Sequence, residues 1–275
     1  MESLTFLWQL PFLRDATLTA LLVAGTCGAL SPFLVLKGWS LIGDAIAHAV
    51  LPGVAIAYFM GLPLIAGAFV AGMGSALLTG WLDANSRVKR DTLMGVVFSG
   101  MFAVGTVLIV AFPTDVHLDH ILFGNLLGVS PFELGTAAVV AAIVVLALGA
   151  RWRDFLTHAF DESHARAIGL RTTWIANAML AMISAAVVAA LGAVGIVLAI
   201  ALLITPGAIG FLLARSFSAM MGLSVGVSLL SAVSGMWLSV AIDASPAASI
   251  VMVLTLAFLG AFAVSRWRDR RALRP

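Results

Sequence analysis

The chain has 275 residues, 62% of them hydrophobic and only 10% charged, with mean hydropathy +1.11 and a formal net charge of +2. A water-soluble domain carries about 25% charged residues, so a soluble globular enzyme is excluded and the bilayer becomes the main solvent. The pI near 9.2 comes from arginines at loop positions, not from a nucleic-acid patch.

In chain order, Met1–Pro11 lacks the basic start and cleavage site of a signal peptide. With Glu2, Arg14 and Asp15 around Trp and Phe, residues 1–15 are expected to form a short interfacial helix. Apolar segments follow near 16–36, 41–60, 62–82, 92–112, 132–150, 175–192, 194–213, 219–242 and 248–265. The expected fold is therefore all-α: a polytopic membrane protein with eight to nine transmembrane helices in a single domain, 1–275. The lone Cys27 lies in the first run, reads as a small packing residue and can form no disulfide within the chain.

The second segment carries two ionisable residues, Asp44 and His48. Spaced four apart, they share one helix face. An Asp at bilayer depth costs about 2.5–3.5 kcal/mol, which a passing cation would offset. A buried pair that only pins helix packing is the structural alternative. Pro52, four residues after His48, cannot donate to the His48 carbonyl, which adds a candidate backbone oxygen. One carboxylate, one imidazole and a carbonyl suit Mn, Fe(II) or Zn better than a soft metal such as Cu(I). So incomplete a shell suits a path the ion must leave again.

The turn at 113–120 packs Asp115, His117, Asp119 and His120 into six residues. It reads first as a solvated polar loop, with metal capture or partner docking as alternatives. Residues 121–129 are too few to span and suggest a short surface helix or a re-entrant piece. The loop 151–174 is longer than a helix–helix connection needs. Its centre, Phe160 to Leu170, is polar, helix-compatible and closed by Gly169, which suggests a docking helix for a cytoplasmic partner or a plain surface loop. His158 and His164 there read as surface residues. Gly124/Gly128 and Gly222/Gly226, each four apart, suggest close helix packing. Pro206, after Thr205 in the seventh apolar run, should kink or break that helix, making the pair a candidate gate.

Arg87, Lys89 and Arg90, then Arg151, Arg153, Arg166 and Arg171, then Arg215, and finally the basic tail 266–275 mark the cytoplasmic side. The turns 113–120 and 243–247 have no Lys or Arg, which leaves the N-terminus outside. No G-x-x-x-x-G-K-[ST] phosphate loop is present, so any ATP hydrolysis is expected on a separate subunit, and the chain itself is not expected to be an enzyme.

The stretch Gly38-Trp-Ser-Leu-Ile-Gly-Asp44-Ala-Ile-Ala-His48-Ala-Val-Leu-Pro52-Gly53 resembles the signature of permease subunits of bacterial manganese/zinc/iron ATP-binding-cassette importers. Asp91–Gly100, Leu118–Gly128, Phe160–Leu170, and Val194-Gly195 through Thr205-Pro206-Gly207 are similar to further stretches of that family. The resemblance covers roughly 35–260. It implies a fold related to the vitamin B12 and siderophore importer permeases, in a bacterial inner membrane, with membrane lipid as its surroundings. It also implies a second permease copy, identical or similar, cytoplasmic ATPase subunits and an extracytoplasmic metal-binding protein. Asp44 and His48 would line the metal path, and the loop with Asp161, Glu162, Ala165, Arg166 and Gly169 would dock on the ATPase. The 118–128 stretch looks more like the manganese/iron branch than the zinc branch. No tightly bound cofactor is expected, only the transported divalent metal. Other classes compatible with the residues are a proton-coupled secondary transporter and a permease for a siderophore-type chelate. A membrane enzyme would need a catalytic pair that the spans do not offer beyond Asp44 and His48.

Overall fold

Long apolar runs with few breakers form helices because, without water, each backbone N–H and C=O must be satisfied within its own segment. The computed structural model describes residues 10–39, 41–111, 124 and 126–272. The helices are α1 (Pro11–Lys37), α2 (Ile42–Ala49), α3 (Leu51–Phe59), α4 (Leu64–Asn85), α5 (Arg90–Ala111), α6 (Pro131–Phe160), α7 (Glu162–Ala167), α8 (Thr172–Val194), α9 (Ile196–Leu213), α10 (Phe217–Ile242) and α11 (Pro246–Ala272), with a 3-10 turn at Leu126–Gly128. Among the described residues, nine helical segments are long and apolar enough to cross a membrane, α2 and α3 together counting as one. The protein is an all-α, multi-pass membrane protein.

Several boundaries differ from the sequence reading. Residues 11–15 belong to the 27-residue α1 rather than to a separate interfacial helix, with Pro11 in its first turn; residues 1–9 lie outside the described part. The fifth apolar run ends at 150, but its helix does not. Helix α6 continues to Phe160 through a kink at Arg151 (φ −138°, ψ 26°), and Phe155, His158 and Ala159 of the continuation are buried on one face. The long loop thus shrinks to α7 and its flanks. The basic tail is likewise helical as far as Ala272. The 113–120 turn lies outside the described residues.

Helix α1 is the hub, touching α6, α8, α9 and α10. Cys27, Leu30, Phe33 and Leu34 on it are fully buried. Close approaches come from small residues: Ser224 Oγ donates to the Gly28 carbonyl (2.7 Å), and Gly53 and Gly67 pack backbone to backbone between α3 and α4. Gly222 and Gly226 do not take part, since space around both is open. Gly124, with φ +62°, lies against the backbone of Val194 and Gly195.

Helix α9 runs through Pro206 without a break. Proline removes one helix hydrogen bond, and Ser31 of α1 repairs the neighbourhood. The Gly207 N–H donates to Ser31 Oγ (2.8 Å), and Ser31 Oγ donates to the Ile204 carbonyl (3.3 Å). Thr205 is half-buried beside this bridge.

Candidate metal path and docking face

Helix α2 lies against α4, α5, α8 and α9, burying Ile42, Gly43, Ala45, Ile46, Ala47 and Ala49. The opposite stripe, Leu41, Asp44 and His48, opens outward. His48 Nε2 lies 3.4 Å from Asp44 Oδ1, with side chains 29% and 35% exposed. The imidazole sits between two rings of α5, Phe98 (centroids 5.5 Å) and Phe102 (5.6 Å, edge-on). Those two residues flank Met101, the midpoint of the Asp91–Ala111 span. The pair is therefore level with the middle of the α5 span.

Pro52 separates α2 from α3 at Val50, and it leaves the His48 carbonyl without an i+4 donor. Two donors 3.4 Å apart can both sit about 2.1 Å from one ion, at an angle of about 108°. Among the described residues no cluster of three or more His, Cys, Asp or Glu could hold a metal. An ion held there would take its remaining ligands from outside this pair.

At the end of the molecule where α6 meets α8, α7 is a tightly built element. Asp161 Oδ1 caps it by accepting from the His164 N–H (3.0 Å). Its far end is closed by Gly169 at φ +84°, with Leu170 N–H to Ala165 O and Gly169 N–H to Arg166 O, both 3.0 Å, a Schellman arrangement. Ala165 is fully buried beneath it. Glu162 accepts from Arg166 Nη2 (2.6 Å) and from Lys37 Nζ (3.2 Å), while Arg166 Nε donates to Thr172 Oγ1 (3.2 Å). Burial pushes the Glu162 carboxyl up, but the hydrogen bonds from Arg166 and Lys37 outweigh it and hold it below its ordinary value. A groove of ≈ 470 Å³ beside α7 is lined by Phe160, Asp161, His164, Arg215 and Phe217, and Phe160 is 79% exposed.

His164 is exposed, but His158 is not a surface residue: it is 1% exposed, and neither ring nitrogen has a hydrogen-bond partner. It shares the buried face of the helix continuation with Phe155 and Ala159, a burial that its polar neighbours in sequence do not announce. Lys37, a lone cation at the end of an apolar run, joins this cluster. Its contact with Glu162 puts α7 at the same end as the α1 C-terminus. Helix alternation adds Arg87, Lys89 and Arg215 to that end, which the positive-inside rule makes cytoplasmic.

The model of the ABC 3 transport family matches residues 9–265. The chain belongs to this family. It is 46% identical over 249 residues to a chelated iron transport system membrane protein, YfeD, of Yersinia pestis, covering 90% of this chain and 84% of that one. It is 41% identical over 275 residues to the manganese transport system membrane protein MntB of a Synechocystis species, covering 97% and 90%. Among solved structures it matches PsaBC from Streptococcus pneumoniae in complex with Fab, with TM-score 0.85, 34% identity and coverage of 95% and 94%. A chain described as an inward-facing metal-chelate type ABC transporter matches with TM-score 0.68 at 17% identity, which shows a shared fold. An ABC 3 chain of this length and fold is a membrane permease.

Proposed function

We propose that this ABC 3 permease moves a divalent transition metal, manganese or ferrous iron in preference to zinc, into the cytoplasm by alternating access. The observation that carries the reading is the Asp44–His48 pair, 3.4 Å apart, level with the middle of the α5 span and open at the surface of the chain. A carboxylate facing lipid there would cost about 2.5–3.5 kcal/mol. A second permease copy on this face removes that cost and encloses a path lined by both pairs. Each pair then replaces part of the ion's hydration shell without completing a cage, so the ion can leave. An extracytoplasmic binding protein delivers the metal, and ATPase subunits seat α7 and the adjoining groove. The names of relatives, which refer to manganese and to chelated iron, support this substrate class.

The test is manganese uptake by proteoliposomes holding the permease and its ATPase, with iron and zinc as competitors. Asp44→Asn and His48→Ala should each lower uptake at least about tenfold, the effect of losing a strong ligand interaction of roughly 1.4 kcal/mol or more. Full uptake by both variants at normal expression would refute the path. Uptake without the ATPase would establish a secondary transporter instead.

A further inference from the structure

Building on the transporter reading above, we infer that Lys37 is a positioning residue: a charged strut that carries movement of α7 to the helix bearing Asp44 and His48.

Lys37 is the last residue of α1, and its side chain is only 14% exposed. Its ammonium donates to Glu162 Oε2 of α7 and to the His158 carbonyl at the end of α6, both at 3.2 Å. The same nitrogen lies 5.9 Å from the centre of the Trp39 ring, within cation–π range. Trp39 stands beyond the turn, on the chain that leads into α2, and is 3% exposed. One cation thus touches the docking helix on one side and the root of the ion-pair helix on the other.

Both ends of the strut are stiff. On the α7 side, Glu162 is also clamped by Arg166, and the helix is capped at both ends. On the α2 side, Gly38 at φ +69° reverses the chain, Trp39 N–H closes on Leu34 O (2.8 Å), and Ile42 N–H donates to Trp39 O (3.1 Å). Asp44 follows two residues later. Gly43 lies against Leu203 of α9, so α2 cannot shift without meeting that helix.

The experiment compares wild type, Lys37→Met and Lys37→Arg permease, each reconstituted with its ATPase and delivery protein, by manganese uptake and ATP hydrolysis in the same vesicles. Lys37→Met should leave ATP hydrolysis within about twofold of wild type and cut manganese moved per ATP by about fivefold or more, the low end of a measurable coupling. Lys37→Arg should recover most of that ratio. Glu162→Gln keeps a neutral acceptor for Arg166 but removes the charge from both of its ion pairs, so it is read by manganese moved per ATP alone, and it carries the test if Lys37→Met does not assemble. The double variant should be no worse than the stronger single one. An unchanged ratio in a variant that assembles, or additive losses in the double variant, would overturn the strut. A wild-type complex without ATP-driven uptake would overturn the transporter reading and the strut with it.

Discussion

Helix α5 carries three glycines at five-residue intervals, and the structure treats them differently. A Cβ at Gly105 would lie 2.8 Å from both Leu51 Cβ and Pro52 N, whereas Cβ atoms at Gly95 and Gly100 would meet nothing within 4 Å. To restore an ordinary contact of about 3.4 Å, Gly105→Ala must push α5 away from the α2–α3 junction by about 0.6 Å. A close-packed interior resists such a shift. Overpacking of this kind costs about 1–3 kcal/mol. For a chain of this size that lowers an apparent melting temperature by about 2–10 °C. The displaced helix also carries Phe98 and Phe102, which hold His48, so manganese uptake should fall with stability. Thermal stability of the purified permease in detergent, read by the fraction remaining monodisperse after heating, measures the first effect, and vesicle uptake the second. Gly95→Ala and Gly100→Ala should be neutral or up to about 1 kcal/mol stabilising, since alanine is the better helix former. Equal melting temperatures for Gly105→Ala and the two controls would refute the reasoning.

Ser31→Ala should destabilise by about 1–3 kcal/mol in the same assay, because the buried Gly207 N–H loses its acceptor beside Pro206; an unchanged melting temperature would show that the helix repairs itself there. Gly169→Ala meets no steric obstacle but must hold φ +84°, at a cost of about 1–2 kcal/mol. It should speed hydrogen exchange in residues 160–170 and lower uptake, and unchanged exchange would count against the Schellman closure as what fixes α7. Glu162 supplies a pH dependence. Its carboxyl is held below the ordinary 4.5 when folded, so its contribution is fully present above that value and is lost as pH falls through the lower folded one. Normalised hydrogen exchange at α7 should therefore rise on acidification below about pH 4.5, and not between pH 6 and 8. Glu162→Gln should flatten that response, and loosening on raising the pH would contradict the assignment.

Much of α7 was legible in the sequence because its signals are local. The polar, helix-compatible run 160–170 with Gly169 as its stop is what the structure shows, and Asp161 adds a cap that the sequence reading did not name. The Asp44/His48 spacing gave one shared face for the same reason, since a period of four residues needs only a helix. The stopping point of the fifth span was not legible. Hydropathy falls at Arg151, but the backbone stays helical for nine more residues because helix formation does not require apolar side chains. Gly222 and Gly226 have the spacing of a packing motif and no neighbour within the protomer, because the motif does not say which face meets another helix.

The sequence by itself determined eight to nine apolar crossings, an orientation read from charge, and a carboxylate and an imidazole on one helical face. These depend on runs and periods of neighbouring residues, which the bilayer reads directly. Tertiary structure alone decided the setting of the pair beside Phe98 and Phe102, the burial of His158, the Ser31 bridge to α9, and the reach of Lys37 to Glu162. Each joins residues some 50 to 180 positions apart, and no local pattern specifies which distant helix arrives at a given face. That choice is made by packing, where small residues admit one neighbour and exclude another.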